Sequence, residues 1–280
     1  MANEKTIEPG SASWALHTSE PALQTLLRDK AAAHGALVCT TDPGQYDYLL
    51  EYYLSVNPPG YHVSLVKTGS KAPGPVEISF IRGRLAHRRK YGGGRGQELA
   101  RAIGLKKGRN PSVWDLTAGL GRDGFVLATL GCQVTLVERS FVLYELLRNA
   151  LEHGMLDEDV RPAIQRMQLV HADAMDYLRD HAGDVPDAIY LDPMYPHRGK
   201  SALVKKEMRF LRDLVGTDDD AALVLQQSLP VARDRVVVKR PATASALPGP
   251  KPTTQVASKN TRYDIYITKR SRATLAHSDE

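Results

Sequence analysis

The chain has 280 residues, of which 42% are hydrophobic and 25% charged, a balance typical of a folded globular protein rather than a disordered or fibrous one. Its two cysteines, Cys39 and Cys132, are too few for a disulfide framework or a tetra-cysteine zinc site, which favours a reducing cytoplasm. The first twelve residues lack the apolar stretch of a signal peptide, and no apolar run approaches the ~18 residues that a membrane span needs. We therefore expect a cytoplasmic protein that does not enter the membrane.

The net charge of +5 is unevenly distributed along the chain. Residues 82–109 contain ten basic residues and one acidic residue, residues 197–212 six and one, and residues 233–270 nine and two. Clusters of this kind indicate a polyanionic partner such as RNA or DNA. The alternative is that the three segments lie on separate faces of the folded protein and share no partner.

The N-terminal part of the chain predicts a small α+β subdomain over residues 14–81, after a polar tail of residues 1–13 that we expect to be disordered. A helix is predicted over 20–34, because Pro21 suits its start and Gly35 its end. Three short runs have strand character, at 36–40, 61–67 and 76–81.

A basic, glycine-rich stretch and a linker helix follow over residues 82–111. Three consecutive glycines and many charges within AHRRKYGGGRG predict an exposed loop before a helix at 97–105. This loop could be a solvated linker, or its backbone could close on a ligand. In the second case four cations would face phosphates: Arg88, Arg89, Lys90 and Arg95.

From residue 112 to the C-terminus the pattern alternates between strands and helices. The predicted strands are 113–117, 133–138, 167–172, 188–192, 235–240 and 262–268, and the predicted helices are 122–130, 141–153, 174–181 and 202–215. Such alternation indicates an α/β fold with a mostly parallel sheet covered by helices on both faces. Because residues 241–260 are rich in Pro, Ser and Thr rather than helical, the last strand is expected to join antiparallel at an edge.

A glycine-rich turn follows the first strand of this alternation. Gly119, Gly121 and Gly124 form G-x-G-x-x-G between a strand and a helix, so that a ligand could lie against bare backbone at the helix N-terminus. Glu138 ends the next strand, where its carboxylate could accept both hydroxyl hydrogens of a ribose. The turn therefore predicts an adenosine-containing cofactor. The alternative is a turn that only packs the helix on the strand.

The turn alone does not distinguish a nicotinamide dinucleotide from S-adenosylmethionine. Asp123 in the first helical turn would repel a pyrophosphate but could bind the ammonium of an amino-acid moiety, with Arg122 beside it for the carboxylate. This favours S-adenosylmethionine. Asp173, after the third strand, could bind the adenine amine, cap the helix that follows, or do both.

The fourth strand ends in Asp192-Pro193-Met194-Tyr195-Pro196. The prolines restrict the backbone, so that the Asp192 carboxylate and the Pro193 carbonyl can both accept hydrogen bonds from one exocyclic amino group. Tyr195 could stack on the base that carries this group. We therefore predict Asp192, Pro193 and Tyr195 as the catalytic residues, whereas in isolation Asp-Pro at a strand end is simply a turn.

This pentapeptide resembles the (D/N)-P-P-(Y/F) signature of methyltransferases that act on adenine N6 or guanine N2. Together with AHRRKYGGGRG, D-x-TAGLGRDGFVLA, YLDPMYPHRGKSALVKKEMR and RVVVKRP, it resembles the bacterial small-subunit ribosomal RNA guanine-N2 methyltransferase J family over about residues 76–270. The resemblance implies a Rossmann-like methyltransferase domain that uses S-adenosylmethionine. Besides the turn glycines Gly119 and Gly121, it places the cofactor contacts at Arg122, Asp123, Glu138, Arg139, Asp173, Ala174 and Asp192. Tyr195 stands where close relatives are expected to carry Phe, and stacking survives this change.

The expected function is methyl transfer from S-adenosylmethionine to the exocyclic N2 of a guanosine in 16S ribosomal RNA, free or in a 30S particle, with no metal required. The RNA contacts are expected from the four loop cations and from Arg198, Lys200, Lys205, Lys206, Arg209, Lys239 and Arg240. An adenine-N6 methyltransferase acting on RNA or DNA is the nearest alternative. A nicotinamide-dependent oxidoreductase and a non-catalytic RNA-binding protein are the alternatives from other classes.

Overall fold

The computed structural model describes residues 12–70, 72, 74–82, 94–194, 214 and 218–268. The chain divides into two compact units. One consists of Met1–Ile78 with Met194–Thr217, and the other of Ser79–Pro193 with Asp218–Glu280. The boundary between Ile78 and Ser79 falls three residues before the end at residue 81 that the sequence predicts for the N-terminal subdomain. The functions expected of the two parts stay predictions.

The described part of the first unit contains a three-stranded sheet and one long helix. Its elements are strand β1 (Trp14–His17), helix α1 (Gln24–His34), strand β2 (Tyr48–Val56) and strand β3 (Pro59–Lys67). Strand β1 pairs with β2 in parallel, and β2 and β3 form an antiparallel hairpin. The core contains Leu16, Leu27, Leu50, Tyr52 and Leu65, which are fully buried. Alternate positions of β2 therefore hold this small sheet together.

The second unit is built on a seven-stranded sheet in the order β6-β5-β4-β7-β8-β10-β9. Its strands are β4 (Ser112–Asp115), β5 (Gln133–Glu138), β6 (Met167–His171), β7 (Ala188–Leu191), β8 (Arg235–Pro241), β9 (Thr254–Ala257) and β10 (Thr261–Ile267). Its helices are α2 (Glu98–Ile103), α3 (Arg122–Thr129), α4 (Phe141–Gly154), α5 (Arg161–Ile164), α6 (Ala174–Asp180) and α7 (Ala221–Ser228). Strands β4 to β8 pair in parallel, and β10 is antiparallel to both of its neighbours.

The order of the parallel strands reverses between β4 and β7. The chain runs outward from β4 to β5 and β6, then returns to place β7 and β8 on the other side of β4. At such a switch point the loops after the two central strands diverge to opposite sides and leave a crevice at the carboxyl ends of the strands. Ligands of open α/β sheets bind in this crevice.

The two faces of the sheet carry different side chains. Trp114, Ile189 and Val236 point to one face and pack with Tyr177 of α6 and Leu225 of α7. The residues next to them along the strands therefore point to the opposite face, because side chains alternate along a strand. That opposite face receives helix α3, whose Gly124 approaches Leu136 and Val134 of β5.

The α/β fold with a mostly parallel sheet is confirmed, and so is the antiparallel final strand. The edge position predicted for that strand is wrong, because β9 forms within the Pro/Ser/Thr-rich segment and pairs outside it. Strands β1 and β2 and helix α7 were not predicted, while the runs at 36–40 and 76–81 contribute only isolated bridges at Val38 and Val76. Within the described ranges, no helix is both long and apolar enough to cross a membrane.

Candidate functional site

The glycine-rich turn joins β4 to α3 at the switch point. Gly119 and Gly121 have φ values of +54° and +65°, which favour glycine. A Cβ on Gly121 would lie 2.6 Å from Leu147 Cδ1, so this glycine permits close packing. A Cβ on Gly119 would meet nothing closer than the Thr117 carbonyl oxygen, at 3.8 Å. The backbone at Gly119 therefore faces open space in which a ligand can lie.

Glu138 ends β5 beside this turn and is only 6% exposed. Its Oε2 accepts a hydrogen bond from the Gly119 N–H at 2.8 Å, and its Oε1 accepts one from the Ser140 N–H at 2.8 Å. Burial raises the pKa of Glu138, and the two backbone hydrogen bonds counteract part of that rise. A carboxylate has about four lone-pair sites, so each oxygen still has capacity to accept a bond from a ribose hydroxyl.

A cluster of charged side chains lies at the carboxyl ends of β7 and β8. Lys239 Nζ donates to Asp123 Oδ2 and to Asp192 Oδ2, both at 2.7 Å. The Tyr190 hydroxyl donates to the same Asp123 oxygen at 2.7 Å. The Asp192 backbone N–H donates to Thr117 Oγ1 at 2.6 Å, which ties the residue to the glycine-rich turn. Both the backbone and the carboxylate of Asp192 are thus held in place.

The cluster contains more acidic than basic groups. Burial alone would lower the pKa of Lys239, but Asp192 and Asp123 raise it above its ordinary value, so this lysine is charged. Asp115, at the end of β4, is 2% exposed, and burial raises its pKa well above the ordinary carboxyl value. The negative charges of Asp123 and Asp192 add to that rise. Asp115 therefore retains its proton at a pH at which an exposed aspartate has lost it.

A second group of charges lies after β5 and β6. Asp173 caps helix α6, since its Oδ1 accepts a hydrogen bond from the Met175 N–H at 2.8 Å. Its Oδ2 lies 3.9 Å from Nη1 of Arg139. Arg139 also pairs with Asp220, at 2.9 Å, and with Asp218. The cap bond occupies Oδ1 of Asp173, and Oδ2, beside Arg139, retains a lone pair that can accept a hydrogen bond from an amino group of a ligand.

Known proteins with similar sequences support one interpretation of this site. The chain is 51% identical to the ribosomal RNA small subunit methyltransferase J of Pseudomonas aeruginosa (strain LESB58) over 219 residues, which cover 78% of this chain and 83% of that protein. It is 54% identical to the protein of the same name from Thioalkalivibrio sulfidiphilus over 211 residues, covering 75% and 82%. The chain belongs to the ribosomal RNA small subunit methyltransferase J family. This confirms the resemblance seen in the sequence motifs.

A sequence profile of the S-adenosylmethionine (SAM)-dependent methyltransferase family also matches this methyltransferase, over residues 46–268. The structure is similar to a crystal structure of a SAM-dependent methyltransferase from Neisseria gonorrhoeae, with a TM-score of 0.68 and 30% sequence identity. That similarity covers 91% of this chain and 96% of the other. SAM is therefore the methyl donor of the family. The described residues fit it, because the backbone at Gly119 faces open space and the carboxylates of Glu138 and Asp173 retain capacity to accept hydrogen bonds.

The structure brings together the residues that the sequence predicted for the cofactor. They lie at the carboxyl ends of neighbouring parallel strands, in the turns after them or in the first turn of the helix that follows: Gly119, Gly121, Arg122, Asp123, Glu138, Arg139, Asp173, Ala174 and Asp192. Pro193 is buried next to Asp192. The Arg139 guanidinium points to carboxylates of this chain, so it braces the loop between β5 and α4 against the residues before α7.

Three of the residues predicted to contact RNA have hydrogen-bond partners within the protein. Lys239 is bound to Asp123 and Asp192 inside the site rather than presented to phosphates. Arg240 is 3% exposed and donates from Nε and Nη2 to the Ser245 carbonyl, so its charge does not face solvent. The Arg95 guanidinium donates to the carbonyls of Lys106 and Leu130 and to the Asn110 side chain, which indicates that it supports a turn.

The remaining predicted residues lie outside the described residues: Tyr195, Arg88, Arg89, Lys90, Arg198, Lys200, Lys205, Lys206 and Arg209. Sequence reasoning missed several members of the site: Asp115, Thr117, Tyr190, Asp218 and Asp220. The period of two along a strand could have found Tyr190, because it lies two residues before Asp192 and shares its face.

Proposed function

We propose that this chain transfers a methyl group from SAM to the exocyclic N2 of a guanosine in 16S ribosomal RNA, in the cytoplasm. The observation that carries the proposal is the position of Asp192. Its carboxylate lies at the switch point of the sheet, held by Lys239 and by the turn residue Thr117. The names of the relatives support ribosomal RNA of the small subunit as the substrate.

The residues around the glycine-rich turn would hold the cofactor. Glu138 accepts both ribose hydroxyls, the backbone at Gly119 lies against the sugar, and Asp173 binds the adenine amine. Arg122 and Asp123, in the first turn of α3, would bind the amino-acid moiety. When bound, SAM supplies an electrophilic methyl group on its sulfonium.

Asp192 and Pro193 would hold the amino group to be methylated. Lys239 occupies Oδ2 of Asp192, and among the described residues the structure shows no partner for Oδ1. Oδ1 and the Pro193 carbonyl each accept one N–H of the amine, which orients the nitrogen lone pair toward the methyl group. Asp192 also stabilises the positive charge that develops on nitrogen before a proton leaves to water. Most of the rate gain then comes from positioning.

RNA would approach this edge of the sheet through basic side chains and an aromatic ring. Guanine has to leave its stack to reach Asp192, at a cost of about a few kcal/mol. Stacking on Tyr195 and phosphate contacts from the loop and from residues 198–209 offset that cost. Membership of a methyltransferase family favours this function over an oxidoreductase or a non-catalytic RNA-binding protein.

The test is Asp192→Ala, with Asp180→Asn as a matched control at an exposed aspartate of α6. Purified protein is incubated with SAM and with 16S RNA or 30S particles that lack the modification, and the nucleosides are identified by mass spectrometry. We expect N2-methylguanosine from wild type and control, and a loss of about 10²-fold or more for Asp192→Ala with its fold retained. N6-methyladenosine as product would establish the alternative base, and substantial activity of Asp192→Ala would overturn the role of Asp192.

A further inference from the structure

We propose that Lys239 is a positioning residue for methyl transfer. It orients the Asp192 carboxylate toward the amine and keeps that carboxylate ionised. This inference rests on the proposed function, because it assigns to Lys239 a role in the same reaction. Lys239 does not touch the reacting atoms in this scheme; it acts through Asp192.

The sheet itself brings the two side chains together. Strands β7 and β8 pair in parallel with Leu191 opposite Val238, so Asp192 and Lys239 occupy the next step of the register. Residues opposite each other in a parallel pair point to the same face of the sheet. Tyr190, two residues before Asp192, shares that face. The contact between Lys239 and Asp192 therefore follows from strand register rather than from a flexible surface side chain.

Lys239 is also fixed from its other side. Its Nζ lies 2.7 Å from Asp123 Oδ2, and that oxygen accepts a further hydrogen bond from the Tyr190 hydroxyl at 2.7 Å. Three elements thus define the position of the ammonium group: β8, the start of α3 and β7. A lysine held in this way occupies Oδ2 of Asp192, and no described residue bonds to Oδ1, which can then accept the amine.

The same arrangement has an electrostatic consequence. The Asp192 carboxylate faces Asp123 from α3, Asp115 from β4, Asp218 before α7, Tyr190 from its own strand and Lys239 from β8. Lys239 is the cation among these groups. Burial raises the pKa of Asp192, and the charges of Asp123 and Asp218 add to that rise, whereas Lys239 opposes it. Loss of Lys239 would therefore raise this pKa further and favour the protonated carboxyl. A protonated carboxyl carries an O–H donor and no negative charge, so it would not stabilise the positive charge that develops on the amine nitrogen.

The test compares Lys239→Met, Lys239→Arg and Asp123→Asn, measured at saturating SAM over a range of pH. Lys107→Met is the matched control, because it removes one lysine charge from an exposed turn. For Lys239→Met we expect kcat to fall by about 10²-fold. We also expect the acid limb of the pH profile to move up by about one to three pH units, the usual effect of removing an opposite charge. Lys239→Arg should restore part of kcat and return the acid limb toward the wild-type position.

Asp123→Asn should move the acid limb in the opposite direction, because it removes a negative charge that faces Asp192. It also tests the inference if Lys239→Met does not fold. If kcat falls in Lys239→Met or Asp123→Asn while the acid limb of the pH profile stays unchanged, Lys239 has only a structural role and the inference is overturned. An equal loss in Lys107→Met would also overturn it, because that loss would point to general attraction of RNA. If wild type makes no N2-methylguanosine, the proposed function itself fails, and this outcome is distinct from normal activity in Lys239→Met.

Discussion

Two glycines of the same turn are expected to respond differently to alanine, because the space around them differs. Gly119 and Gly121 both have a positive φ, so alanine at either position adds about 1–2 kcal/mol of backbone strain. At Gly121 the new Cβ would also lie 2.6 Å from Leu147 Cδ1 and 3.4 Å from Phe80 Cζ. Carbon atoms normally pack at about 3.5–4.0 Å. Since Leu147 and Phe80 are fully buried, overpacking adds about 1–3 kcal/mol.

The two variants should therefore differ in their effects on folding stability and on SAM binding. We expect Gly121→Ala to lower the free energy of unfolding by about 2–5 kcal/mol and Gly119→Ala by only about 1–2 kcal/mol. For SAM binding we expect the larger effect from Gly119→Ala, because a Cβ on Gly119 enters the open space beside the turn. Gly119→Ala should weaken SAM binding by about tenfold or more, which corresponds to about 1.4 kcal/mol.

Urea denaturation and calorimetric titration with SAM measure the two quantities, with Gly183→Ala as a control at an exposed glycine that has nothing near its Cβ position. If Gly119→Ala binds SAM as wild type does, the open backbone of the turn is not the binding surface. If Gly121→Ala loses no more stability than Gly119→Ala, the packing argument is wrong.

Two further predictions concern residues around the site. Burial raises the pKa of Asp115, so the folded protein keeps a proton that the unfolded chain releases, and stability should decline as pH rises from the ordinary carboxyl pKa toward the raised one. Asp115→Asn cannot ionise, and urea denaturation at several pH values should show a shallower decline; an unchanged slope would contradict the shift. Arg95→Ala should cost about 1 kcal/mol of stability through its lost carbonyl bonds while leaving the salt dependence of RNA binding unchanged. A smaller salt slope with unaltered stability would return Arg95 to the phosphate contacts.

Much of the candidate site could be predicted from local sequence patterns, which do not depend on contacts with distant parts of the chain. The turn at Gly119 and Gly121, the carboxylate of Glu138 at the end of the next strand and the Asp192-Pro193 pair are each recognisable within a few residues of chain. Parallel pairing then brings their strand ends to one edge, which the alternation of strands and helices predicts. Strands β1 and β2 lacked such signals, because their apolar residues suit several structures and only pairing with a neighbouring strand selects one.

The distribution of charge along the chain predicted a polyanionic partner but did not say which basic residues would contact it. Sequence alone determined the fold class and the positions of the glycine-rich turn and of Asp192 at the ends of their strands, because these depend on strand periodicity and local backbone requirements. Only the tertiary structure decided that Lys239 and Arg240 turn inward, one to Asp123 and Asp192 and the other to the Ser245 carbonyl. The direction in which a charge points depends on strand register and on the groups that packing places opposite it, and neither can be read from the residue type.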